Sequence, residues 1–64
     1  MRPIRTIYVF QADEGWDAWT KAGDVLIEAV RADKWEAIGL VAERLLADGF
    51  SLARTVSIRN RRKD

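Results

Sequence analysis

The chain has neither cysteine nor histidine among its 64 residues. The first absence excludes a disulfide, and the two together remove the usual ligands of a structural zinc site, so the common staples of very small domains are missing. They also remove the commonest general base and the strongest nucleophile, and neither Ser51 nor Ser57 has a neighbour in sequence that would activate it. The expectation is a protein that is not an enzyme and uses no cofactor or metal. No apolar run approaches the roughly 20 residues that span a bilayer, and no stretch combines the basic, apolar and small-residue segments of a signal peptide. A cytoplasmic location, with no membrane partner, is therefore expected. The lack of cysteine fits a reducing compartment.

What is present is apolar bulk. Hydrophobic residues make up 48% of the chain, and Trp16, Trp19 and Trp35 are the largest pieces, enough to set disorder aside for the body of the chain. A chain this short buries only about 60% of the surface its unfolded form exposes, so help from a partner subunit is expected. One domain accounts for residues 1–61, with a basic tail over 62–64.

Charge is divided more sharply than the net of +1 suggests. Residues 10–53 carry nine acids and four bases, whereas residues 54–64 carry Arg54, Arg59, Arg61, Arg62 and Lys63 against Asp64 alone. Arg2 and Arg5 add bases at the other end. If the terminal strands pair, the bases gather on one side of the molecule and the acids on another.

Residues 34–48 read as a helix. Asp33 can cap its first turn while Glu36 reaches back; Trp35, Ile38, Val41, Ala42, Leu45 and Leu46 follow at helical spacing, and Gly49 can supply a left-handed C-terminal cap with Phe50 folding back. Gly39 within it implies close approach to a sheet. Residues 4–11 form a strand apolar on both faces, with Tyr8 and Phe10 opposite Ile7 and Val9, and a homodimer contact is one way to cover the second face. Residues 13–24 admit either a short helix or two hairpins. The hairpins are preferred, because a strand over 25–31 needs only a short connector before Asp33. Beyond Gly49 the pattern has period two, with Leu52, Val56 and Ile58 against Thr55, Ser57, Arg59 and Arg61. The predicted fold is α+β, a small antiparallel sheet in the order β-β-β-α-β with one amphipathic helix packed on one face.

Three stretches in that order carry a resemblance. YVFQADEGWDAW resembles the opening hairpin of the HicB-like antitoxin domain, RADKWEAI is similar to that family's helix start, and ERLLADG to its helix end, with TVSIRN as the closing strand. The likeness covers about residues 6–60, although the proline and glycine motif that usually separates the family's second and third strands is missing. It implies a small sheet and one helix that bind and inhibit another protein, often as an oligomer.

The candidate site residues fall into two sets. Asp13, Glu14 and Asp17 surround Trp16 and Trp19 and would repel phosphate, so these rings read as core or as anchors for a protein partner, with Leu40 on the acidic side of the helix as a further candidate. The carboxylates themselves read as a solvated turn, without the spacing of a calcium loop. Arg54, Arg59, Arg61, Arg62 and Lys63 could hold successive phosphates or an acidic protein. The plainer reading is an edge strand charged against edge-to-edge pairing. No helix-turn-helix or zinc finger is visible, which argues against sequence-specific DNA readout. Three functions remain open. They are a small module that engages and inhibits a partner protein, like an antitoxin or phage-type inhibitor; a nucleic-acid accessory protein gripping backbone; and a structural homo-oligomer.

Overall fold

Short turns and one capped helix set the order of elements in the computed structural model, which describes residues 3–63. Strands β1 (Ile4–Ala12), β2 (Gly15–Ala22) and β3 (Val25–Arg31) are followed by α1 (Lys34–Ala47) and β4 (Leu52–Asn60). The open segment 13–24 forms two hairpins around β2, with Asp13 and Glu14 linking β1 to β2, and Gly23 and Asp24 linking β2 to β3. The α+β order β-β-β-α-β is the one predicted, and one sheet runs β3-β2-β1-β4.

The sheet is mixed, however, because β4 joins β1 in parallel. Three antiparallel strands leave the chain at the far end of the sheet, and a helix of 14 residues carries it back to the starting end, so the next strand must run alongside the first in the same direction. Pairing of β1 with β4 sets Arg5 on the strand beside the one that carries Arg54 and Arg59, but the expected separation of acids from bases is incomplete, because Asp17 and Glu28 lie against Lys63; Arg2 lies outside the described residues.

The caps of α1 act as their residues suggest. Asp33 accepts from the Glu36 amide at 2.9 Å, while the Glu36 carboxylate turns to Arg31, 3.9 Å away, instead of reaching back. At the other end Gly49 donates to the Leu46 carbonyl and Phe50 to the Leu45 carbonyl, a paired closure that brings the Phe50 ring onto the core. That core is Ile7, Val9, Ala18, Ala22 and Ile27 from the sheet against Ala37, Ile38, Val41 and Leu45 from α1. Thr20 is buried among them and donates its hydroxyl to the Thr6 carbonyl at 2.9 Å, so no uncompensated polar group is left there.

Three expectations about the helix need correction. Trp35 and Leu46, read as core, are 63% and 57% exposed. Positions 38, 41 and 45 fix the buried direction, and at about 100° per residue Trp35 and Leu46 fall on the helix's flank. Gly39 makes no close approach to the sheet, since a Cβ added there would meet nothing within 4 Å.

The second face of β1 is covered from within the chain. Arg61 continues the ladder by donating its amide to the Val9 carbonyl at 2.9 Å, and its own carbonyl accepts from the Trp19 indole at 3.1 Å. Arg62 then stands 4.7 Å over the Phe10 ring, and Lys63 reaches Glu28 on β3. Residues 61–63 thus form a strap across the sheet's open face, where a loose basic tail was expected. Tyr8 and Phe10 are thereby half-buried within the single chain.

Candidate binding surfaces

The strap organises the open face. Tyr8 and Trp19 are cross-strand partners whose rings stack at 4.6 Å, and Arg61 stands 5.4 Å over the other partner, Tyr8. Trp19 is only 7% exposed and its indole is bonded to Arg61. It is part of the packing, and the anchor role expected of it is therefore unavailable. Trp16 is half-buried against the core, with the Lys34 ammonium 5.2 Å from its ring and 5.1 Å from the ring of Trp35. One cation thus bridges the half-buried indole and the exposed one. Leu40 is half-buried and faces a shallow hollow beside β3, with Ala29, Glu43 and Arg44.

The five basic candidates part company. Lys63 is taken up by two carboxylates, Glu28 and Asp17, the latter 3.9 Å away. Arg62 packs on Phe10, and Arg54 is exposed on β4. Arg59 and Arg61 come together around a hollow of about 460 Å³ with Thr6, Tyr8 and Asn60. A second hollow of about 630 Å³ shares Thr6, Tyr8 and Arg61 with it and adds Arg5 and Lys21. Arg5 was grouped with the C-terminal bases only on condition that the terminal strands pair, and Lys21, Thr6 and Tyr8 were not site candidates in the sequence, because only the pairing of β1 with β2 and β4 places them beside Arg59 and Arg61.

Asp17 and Glu28 are held close on the open face beneath Lys63. Burial first, then hydrogen bonding to and repulsion by Glu28, push the Asp17 carboxyl up to about 6, against the pull of Lys63. Its Oδ1 is buried without a hydrogen-bond partner among the described residues. Glu28 moves the other way, held below its ordinary range chiefly by the hydrogen bond from Lys63, and Lys63 is raised by the same bond.

These shifts carry a pH dependence whose sign is set by Asp17. An unfolded aspartate releases its proton near 3.8, whereas the folded one keeps it to about 6. Between those values the native state binds more protons, so stability falls as pH rises. Glu28 contributes oppositely, its stabilisation being lost on acidification below the ordinary glutamate range. Thermal melts of the protein and of Asp17→Asn at pH 4.5 and pH 7 are expected to show the variant gaining relative to the parent at the higher pH. An equal difference at both values would refute the raised carboxyl.

Among known proteins, no family model, no curated protein and no solved structure matches the chain. Among the described residues no helix is long and apolar enough to cross a membrane. What the molecule offers is two surfaces. One is the basic open face. The other is the flank of α1, which lies mainly over β2 and β3. On that flank Trp35 and Leu46 are exposed, while Ala42 and, on β4, Leu52, Val56 and Ile58 are half-buried against the core.

Proposed function

We propose that the chain is a small non-enzymatic module that engages and inhibits a partner protein, with the flank of α1 as its docking surface. The observation that carries this reading is Trp35, a large indole left 63% exposed in the first turn of the helix. Burying such a ring on a partner removes a large apolar area from water at little side-chain entropy, which is why tryptophan is enriched among interface hot spots. Leu46, three turns along the same flank, extends the apolar strip, and Lys34 beside Trp35 adds a charge that an acidic rim could meet. The β-β-β-α-β order supports the same reading through the HicB-like resemblance, whose implied mode of action is a small sheet and helix bound to another protein. In place of Trp19, Trp35 becomes the anchor.

The test is capture of a partner by the tagged protein from its host cells, followed by affinity and activity measurements on the purified pair. Trp35→Ala is expected to weaken binding by about 2 kcal/mol or more, roughly 30-fold, and to relieve inhibition. Because the side chain is exposed, the melting temperature should hardly move. Lys21→Ala with Arg59→Ala should leave the complex intact. Equal affinity for the parent and Trp35→Ala would sink this reading.

A further inference from the structure

We propose that the open face of the sheet is a binding site for successive phosphates of a single-stranded nucleic acid, held by Arg5, Lys21, Arg59 and Arg61. The two hollows of about 630 and 460 Å³ meet at Thr6, Tyr8 and Arg61, forming one continuous shallow trough. Its lining includes Arg5 and Lys21 in one part and Arg59 in the other, with Arg61 common to both. No aspartate or glutamate lines either part.

Charge on the face is sorted in a way that a merely solvated surface does not need. The nearby carboxylates, Asp17 and Glu28, already hold Lys63. Lys63 is the one of the trough's five cations that is paired in this way; Arg5, Lys21, Arg59 and Arg61 form no ion pair among the described residues, the other pairs there being made by Arg31 and Arg44. Positive charge is thus left uncompensated around a concave floor with hydroxyls at Thr6 and Tyr8, a combination of guanidinium, ammonium and hydroxyl donors that suits phosphate oxygens.

The occupant follows from what the trough lacks as well as from its charge. Tyr8 has Trp19 stacked on it and Arg61 above it, so no free aromatic face is offered to a base. Recognition would rest on backbone, without sequence readout. The cations come from β1, β2 and the end of β4, and a flexible single strand can set its phosphates against points spread in this way. Lys63, a candidate on sequence grounds, is occupied with Glu28 and Asp17 and fixes the strap that presents Arg61, whereas Arg62, over Phe10, lines neither part of the trough.

The experiment is a fluorescence-anisotropy titration of the full chain against a labelled single-stranded oligonucleotide and the matching duplex, over a range of salt. A log-log slope of roughly −2 to −3 for the single strand is expected, the value for about four neutralised phosphates. Lys21→Ala with Arg59→Ala should lower affinity about tenfold or more near 50 mM salt and flatten the slope by roughly 1 to 1.5. Arg44→Ala, on the far side and paired with Asp48, is the control and should change neither. Polyglutamate and anionic vesicles are run beside the oligonucleotides. The proposal is overturned by absence of binding near 50 mM salt, by a double variant that binds like the parent, or by polyglutamate or vesicles binding as tightly as the strand. Trp35→Ala should bind the oligonucleotide unchanged, so failure here and failure of the protein-docking surface are separately visible.

Discussion

Leu45→Ala is expected to leave about half of the protein or more unfolded at 25 °C. Leu45 is fully buried and sits where α1 closes over the sheet, in the cluster with Ile7, Ile27, Val41 and Ile38. Its carbonyl also accepts from Phe50 in the turn that ends the helix. Truncating such a side chain loses its transfer free energy and leaves a cavity, at a cost of about 3 to 5 kcal/mol. A core in a chain this short rarely supplies more than about 3 to 5 kcal/mol in total, and there is no disulfide to limit the loss. Loss and margin are therefore of the same size. Circular dichroism and urea titration check it. Leu45→Met, which conserves volume, should stay folded within about 1.5 kcal/mol of the parent. A melting temperature for Leu45→Ala within about 5 °C of the parent, equivalent to roughly 1 kcal/mol, would show that the core does not depend on this contact.

The helix and the two hairpins were legible in the sequence because local chemistry decides them. Asp33 and Gly49 mark the helix ends through hydrogen bonds that span three to five residues, and the turns at 13–14 and 23–24 lie against Gly15 and Gly23. The parallel pairing of β4 was not legible, because a strand's period of two says which residues share a face and nothing about its neighbour. Trp35 was misplaced for a related reason. Spacing of three and four picks out a broad stripe, and the observed helix buries only the part of it nearest β2 and β3.

The candidate surfaces depended still more on contacts distant in sequence. The bond that turns residues 61–63 into a strap joins Trp19 to Arg61 across 42 positions, and no local signal announces it. A basic run at the end of a chain looks like a solvated tail until the sheet provides Phe10, Asp17 and Glu28 to receive it. The same pairing explains why Lys21 and Arg5, scattered in the sequence, stand with Arg59 and Arg61. A clue did exist: Tyr8 and Phe10 required a cover, and the only question was which part of which chain supplied it.

Gly15→Ala is expected to be the most damaging of the glycine substitutions, with a loss of about 3 kcal/mol. Gly15 opens β2 at φ 136°, a conformation that L side chains rarely adopt. A Cβ there would lie 2.5 Å from the Arg31 carbonyl oxygen and 3.1 Å from its carbon. Both atoms are backbone, held by the pairing of Trp16 with Arg31, so no rotamer change can relieve the clash. Backbone strain and forced displacement each cost about 1 to 3 kcal/mol. The displacement would also press on the β3 end from which Asp33 starts the helix, tying the first hairpin to the helix start. Gly23 separates the two causes. It too has a positive φ, 63°, but a Cβ there meets nothing within 4 Å, so Gly23→Ala should lose only about 1 kcal/mol from the backbone term. Urea titrations of the two variants provide the comparison. Equal losses would mean that conformation alone governs Gly15 and that the Arg31 carbonyl moves aside freely, whereas the larger loss at Gly15 locates the rigid point of the sheet where β3 hands the chain to α1.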